Sequence, residues 1–346
     1  MAPAILYDAF FLEHATGSHP ETAGRLTTTV DLLRRRGLWD RLTHFAPEPA
    51  PWEALTAVHE EDYLNLIRYY AERGGGWLTA DTPFSAHSFD VAAVAAGAAI
   101  GAVDRVLDGH APSAFALVRP PGHHACPAEG MGFCLINHAA AAARHAVRTR
   151  GLERVLLVDF DVHHGNGTQE IFWEDPTVLY YSTHQYPAYP GTGAAREIGA
   201  GRGLGTTVNV PLPAGVGDPG YRHALVETLV PIAREYRPDL ILVSAGYDAH
   251  WTNTRYLSSI RMGVTVSGFG EWVRMLKDLA DELCGGRLVF SLEGGYDHEA
   301  LAWGVDATFR VLLGEPVEDP IGPPRTLREP YIDDLLEECR RLHGLG

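Results

Sequence analysis

Short runs of continuously apolar, β-branched residues alternate along the whole chain with longer stretches of helical periodicity. The apolar runs are AILYD (4–8), AFALVRP (114–120), RVLLVDF (154–160), TVLYYS (177–182), TTVNVPL (206–212), DLILVSA (239–245) and RLVFSLE (287–293). Several are apolar at every position rather than at alternate ones, as in a parallel strand covered on both faces. Between them, the periodicity predicts helices over 22–36, 61–73, 88–107, 136–149, 220–236, 268–283 and 298–313. Repeated strand-then-helix units predict an α/β fold: a doubly wound, mainly parallel sheet flanked by helices. No Ser/Gly-rich linker and no repeat of fixed period divides the chain, so a single domain is expected over 1–346. Its core covers about 7–313, and a Pro-rich C-terminal wrap, 314–346, ends in a helix over 331–342.

Composition changes this picture little. With 46% hydrophobic and 21% charged residues among 346, the chain can bury a full core without disulfides. Its four cysteines form no CxxC or CxxxC pair, which argues against a zinc knuckle or a thioredoxin-type site. The first residues lack the basic and apolar regions of a signal peptide, and no run approaches the roughly 20 apolar residues of a membrane helix. A cytoplasmic protein with no membrane partner is expected. The formal charge of -16, from 44 acidic against 28 basic residues, gives no grip on nucleic acid and favours the approach of cations.

The chemistry lies just past the strands, where open α/β sheets bind ligands. Asp159, Asp161 and His163 follow one strand at a spacing of two, which turns them to the same side of an extended segment. Asp248 follows a second strand, the pair His123-His124 a third, and Tyr296 a fourth. Two carboxylates and an imidazole with an open position make a catalytic zinc site, and the hard oxygen ligands also suit Fe2+. A single HH pair or DxH is weak on its own, because most of the 17 histidines must be ordinary residues. Four such elements at four strand ends are not.

The strings RPPGHH (119–124), GFCLIN (132–137), VDFDVHHGNGT (158–168), SAGYDAH (244–250) and LEGGY (292–296) resemble the histone deacetylase family, which includes the acetylpolyamine amidohydrolases. The similarity runs from about Tyr7 to Leu313, and His19-Pro20-Glu21 and Asn166 look closest to class II-like and bacterial members. The resemblance implies an arginase-related fold and the hydrolysis of an N-acetyl or related acyl amide. It implies Asp161, His163 and Asp248 as zinc ligands, with His123 and His124 beside the attacking water. It pairs His123 with Asp159 and His124 with Asn166, which makes His124 the general base and Tyr296 the oxyanion donor. Phe133 and Tyr189 would wall the substrate tunnel, and the Gly132 carbonyl would receive the amide N–H. Structural K+ or Na+ ions would lie at Asp159, Asp161, His163 and Ser182, and at Phe172, Asp175 and Val178. Arg25 would line the cavity for the product.

Two departures stand out. Relatives commonly read Asp-Pro-Leu after the third ligand, whereas this chain reads Trp251-Thr252-Asn253-Thr254-Arg255-Tyr256, which places Arg255 at the tunnel rim. Ala23-Gly24-Arg25 lacks the proline that relatives often carry two residues before the arginine. Glu13 and His14 are expected on the same rim. The substrate is then acetyl-lysine in a peptide, an acetylpolyamine or another small N-acyl amine, handled by a free-standing chain or a homo-oligomer. Two alternatives are an arginase-like ureohydrolase with two manganese ions and a non-catalytic acyl-lysine binding protein.

Overall fold

The computed structural model describes residues 1–257, 259–326 and 328–345. Among them ten strands follow in chain order: β1 (Ala4–Leu6), β2 (Thr43–Phe45), β3 (Gly75–Trp77), β4 (Pro83–Ser85), β5 (Ser113–Ala116), β6 (Val155–Asp159), β7 (Val178–Gln185), β8 (Thr207–Leu212), β9 (Leu240–Ala245) and β10 (Leu288–Leu292). Eight of them form one sheet in the order β2-β1-β5-β10-β9-β6-β7-β8, and every neighbouring pair is parallel. The remaining two, β3 and β4, make a separate antiparallel hairpin.

Side-chain alternation on β10 separates the two faces. Phe290 stacks on Phe115 of β5 at 5.7 Å, and Phe115 meets Phe309 of helix His298–Leu312 at 5.6 Å. The next residue, Ser291, turns the other way, its Oγ 2.9 Å from Nδ1 of His138 in helix His138–Arg148. Helices Ser88–Leu107 and His138–Arg148 therefore cover one face, and helices Val266–Leu283, His298–Leu312 and Gly24–Arg35 are layered on the other. Strands β5, β6, β7, β9 and β10 are buried along their whole length, as their unbroken apolar runs require.

The winding fixes where a ligand can bind. The chain lays β1, β2 and β5 on one side and β6 to β8 on the other, then inserts β9 and β10 between them. The carboxyl ends of β5, β10, β9 and β6 thus meet at the centre, where the winding changes direction.

All seven predicted strands and all eight predicted helices are present, with shifted ends. The run 114–120 stops as β5 at Ala116, because Pro120 and Pro121 carry no N–H with which to extend a ladder. The helix predicted over 220–236 runs from 218 to 236 and contains a π-helical turn, Leu225–Leu229, just before Pro231, which cannot donate to the preceding turn. Strand β2 and the hairpin are additions. Three-residue strands carry too little periodicity to stand out. The C-terminal wrap ends in helix Asp333–Leu342, whose Cys339 thiol donates to the Asn209 carbonyl of β8.

The N-terminal segment is tied to the end of β5 by buried charge. Glu21, wholly buried, accepts from Arg119 Nε at 2.9 Å and Nη2 at 2.7 Å, and from Arg25 Nη1 at 3.2 Å. Burial alone would raise its carboxyl, but Arg119 above all, with His14 and Arg25, holds it well below the usual range. His14 is therefore not on a rim. It is buried against Glu21 at 3.4 Å and Ser88 at 2.6 Å, while Glu13 beside it is exposed.

Removing one partner of such a cluster leaves unpaired buried charge. Glu21→Gln should lower the unfolding free energy by about 3–5 kcal/mol in urea titrations at pH 7. Because the folded carboxyl is depressed, its contribution is full above about pH 4.3 and is lost as pH falls below that. The gap between the two proteins should therefore narrow in acid. Equal urea midpoints at pH 7 would contradict this account.

Candidate active site

Strand β6 ends at Asp159, and the chain stays extended enough for alternation to persist through His163. Phe160 turns into the core against Tyr247, Phe269 and Trp272, at 5.8, 6.1 and 5.7 Å. Asp159, Asp161 and His163 turn the opposite way. His163 Nδ1 lies 3.1 Å from Asp161 Oδ1 and 3.3 Å from Asp248 Oδ2, across from the end of β9. Ligand-capable atoms of Asp161, His163 and Asp248 all fall within 4.8 Å of one another, and all three residues are buried.

Backbone groups orient both carboxylates. Asp161 accepts from the His163 amide at 2.9 Å through Oδ1 and from the Gly294 amide at 2.8 Å through Oδ2. Asp248 Oδ1 accepts from the Val162 amide at 2.9 Å, while its Oδ2 has no hydrogen-bond partner among the described residues. A buried carboxylate oxygen without a donor is costly. Beside a second carboxylate and an imidazole, it is the atom a divalent cation would satisfy. Gly294 is required here: a Cβ at that position would collide with Asp248 Oδ2 and Asp161 Oδ2.

The two imidazoles come from the loop after β5, their centroids 4.1 Å apart. His123 Nδ1 donates to Asp159 Oδ2 at 3.0 Å, and Tyr180 Oη donates to the same oxygen at 3.0 Å. His124 Nδ1 donates to Asn166 Oδ1 at 2.8 Å. The Asn166 amide nitrogen faces Cys126 Sγ at 3.2 Å and Met131 Sδ at 3.4 Å, which turns its oxygen toward His124. With the proton on Nδ1, Nε2 of His124 keeps its lone pair. Burial works against charge on both rings, yet Asp159 and Asp161 outweigh it at His123 and push its pKa up to about 10. At His124, burial and then the positive His123 and His163 hold the pKa well below its ordinary value. The two rings are thus pushed in opposite directions.

Tyr296 follows Gly294-Gly295 at the end of β10, and burial holds its hydroxyl in the protonated form. Its ring meets Phe133 edge-on at 5.4 Å and lies under the Arg25 guanidinium at 5.1 Å. Arg25 itself is wholly buried and donates to the carbonyls of Gly295, at 2.7 Å, and Glu293. Tyr189 meets His124 at 5.1 Å and His163 at 6.2 Å. Phe133 and Tyr189 are both half-buried and flank the site from different loops. Gly132 has φ 55°, and a Cβ there would collide with the His124 ring. Arg255 is exposed in the Trp251–Arg255 turn, with its guanidinium 5.9 Å from the Trp251 ring.

Among the remaining predicted positions, Asp159 and Ser182 are register partners across β6 and β7. Phe172 lies under Arg144 at 4.8 Å, Arg144 pairs with Asp175, and Val178 opens β7. His250, which follows the third candidate ligand, turns away to cap the Trp251–Arg255 turn.

Two groups escaped the sequence reading. Glu293 is buried, accepts from the Gly122 and His123 amides at 2.6 and 3.1 Å, and takes the Ser244 hydroxyl at 3.1 Å. It forms a second cluster with His123 and Cys134, but its oxygens are occupied, and burial keeps the Cys134 thiol protonated. Asn253, also buried, accepts from the Tyr296 and Asp297 amides. A charge directly after an apolar strand marks Glu293 in the sequence; nothing local marks Asn253.

A parallel α/β sheet with these groups gathered at its switch point is the framework of a hydrolase acting on amides. The family model for the histone deacetylase domain matches residues 19–312. The chain is 40% identical over 360 residues to "Histone deacetylase 10, chloroplastic" of Oryza sativa subsp. japonica, covering 96% of this chain and 79% of that one. It is 36% identical over 372 residues to the "Histone deacetylase-like amidohydrolase" of Pseudomonas aeruginosa, covering 99% and 96%. The crystal structure of the HDA15 HD domain superposes with a TM-score of 0.87 at 34% identity, over 98% of this chain and 95% of that one. The chain belongs to the histone deacetylase family. No helix among the described residues is long and apolar enough to cross a membrane.

The candidate cage should take up one divalent ion per chain. Asp248→Ala should abolish that uptake, read as metal content after dialysis against zinc, and should abolish the rise in thermal midpoint that zinc gives the parent protein. Undiminished stoichiometry in the variant would rule this cage out.

Proposed function

We propose that this chain removes acetyl or related acyl groups from the amine of acetyl-lysine, an acetylpolyamine or a similar small N-acyl amine, with one divalent cation held by Asp161, His163 and Asp248. The observation that carries this reading is the buried Oδ2 of Asp248, which has no hydrogen bond among the described residues and lies 3.3 Å from His163 Nδ1, beside Asp161. Two carboxylates and one imidazole suit Zn2+, and Fe2+ shares their preference. When bound, such an ion polarises the acyl carbonyl and lowers the pKa of water toward about 7.

The remaining chemistry falls to the chain's own groups. His124 takes the proton of the attacking water on Nε2, because Asn166 holds its other proton on Nδ1. It later returns a proton to the departing amine. His123, kept cationic by Asp159, supplies fixed positive charge beside the developing oxyanion. Tyr296 donates its hydroxyl to the same oxygen. The Gly132 carbonyl accepts the amide N–H, and Phe133 and Tyr189 exclude water from the methylene chain. Arg25 stands behind Tyr296, at the end of the site where the released acid would leave. K+ or Na+ at the carbonyl groups of Asp159, Asp161, His163 and the Ser182 side of β7, and at Phe172, Asp175 and Val178, would stiffen the strand ends that carry the ligands.

Zinc-loaded protein should release acetate from a panel of acetylputrescine, acetyl-lysine peptides and longer acyl-lysines. Tyr296→Phe should lower kcat by about 10²–10³-fold with KM little changed, as for loss of one oxyanion donor. Metal-dependent turnover absent across the whole panel would favour the non-catalytic binder. Arg255, exposed in the turn after Asp248, would favour substrates that carry a free carboxylate. Arg255→Leu should reduce the preference for free over blocked acetyl-lysine by about two- to fivefold, the scale of an exposed ion pair. Identical preference in both proteins would remove Arg255 from specificity.

A further inference from the structure

The Gly294-Gly295 pair ahead of Tyr296 leaves that loop with wide backbone freedom, Gly295 sitting at φ 117°. What fixes the phenol must therefore come from contacts beyond the glycines. The Asn253 carboxamide makes two of them, beside the bond from Arg25 to the Gly295 carbonyl. Its Oδ1 accepts from two successive amides, Tyr296 at 2.8 Å and Asp297 at 2.9 Å. Its Nδ2 donates to the Tyr247 carbonyl at 3.1 Å, one residue before Asp248. Asn253 is wholly buried, so these bonds do not compete with water. Asp297 goes on to cap helix His298–Leu312 through the amides of Glu299 and Ala300 at 3.1 Å, which anchors the far side of the same peptide.

We infer that Asn253 is a positioning residue that sets the Tyr296 phenol relative to the Asp248 carboxylate by bridging the loops after β9 and β10. An amide is suited to this task because one side needs an acceptor and the other a donor. Asn253 lies in the Trp251–Arg255 turn, the short segment that follows Asp248. The inference rests on the proposed role of Tyr296, so its test must separate the two.

The measurement is kcat and KM on zinc-loaded protein with one acetyl-lysine substrate, for Asn253→Ala, Tyr296→Phe and the double variant, alongside metal content and thermal midpoint. Displacing a catalytic group by about 1 Å can cost about 10²-fold, so Asn253→Ala should lower kcat by about 10–100-fold, with KM and zinc stoichiometry unchanged within about twofold. In the Tyr296→Phe background the same substitution should cost no more than about twofold, because the group it positions is already gone. Asn253→Asp keeps both acceptor contacts but loses the donor to the Tyr247 carbonyl, so its kcat should fall between those of the parent and Asn253→Ala. If Asn253→Ala does not fold, Asn253→Ser, too short to reach both amides, serves in its place. A Tyr296→Phe protein with parental kcat would overturn the Tyr296 role and this inference with it. An impaired Tyr296→Phe protein beside an unimpaired Asn253→Ala, or an equal loss in both backgrounds, would overturn the Asn253 inference alone.

Discussion

The Asp161 carboxylate is the constraint on which the site depends. It lies just past β6, accepts the Gly294 amide from the loop after β10, and faces His163 and, through that ring, Asp248 after β9. Three loops from three strands are held at one carboxylate. In the proposed cage these two oxygens would also face a divalent cation, so the atoms that organise the loops would hold the ion as well. The missing side chains at Gly246 and Gly294 follow from this crowding, since a Cβ at either position would occupy the place of an Asp161 oxygen.

Around that point the protein concentrates charge in a dry interior, which is expensive unless each charge is answered. Arg25 and Arg119 answer Glu21, and Asp159 answers His123. Backbone amides and a serine hydroxyl answer Glu293, whose carboxyl burial pushes up to about 7. The two adjacent histidines differ in the charges around them and in the partner on Nδ1. A carboxylate behind His123 favours its charged form, whereas His124, with only an amide behind it, is held down by burial and by its charged neighbours. Two sulfur atoms, from Cys126 and Met131, hold that amide in the orientation that makes the division work.

Access to the site is built on a different principle. The Tyr189 loop is secured from below by polar groups: buried His164 to Thr192 at 2.8 Å, buried His184 to the Gly193 carbonyl at 2.8 Å, and the half-buried Glu197 to the Gly193 and Ala194 amides. Phe133 leans on His19 at 4.3 Å and on Tyr296. Aromatic walls supported from behind can stay in place with no ligand between them, which lowers the ordering cost of binding.

The α/β class, seven of the eight sheet strands and the chemical groups at four strand ends were legible from the chain alone. Their signals are local: an unbroken apolar run marks a buried strand, and a period of two marks Asp159, Asp161 and His163 as sharing a side. Strand order was not legible, because it depends on β9 and β10 entering last between strands already placed, and no local pattern encodes that insertion. The same holds for Glu21, Glu293 and Asn253, each of which takes a decisive partner from 43 to 171 residues away. Residue type and spacing set which chemistry the chain carries. Long-range packing alone decided that Arg25 would stack on Tyr296, that His14 would be buried, and that an asparagine in a short turn would grip the backbone of a tyrosine on the neighbouring strand's loop.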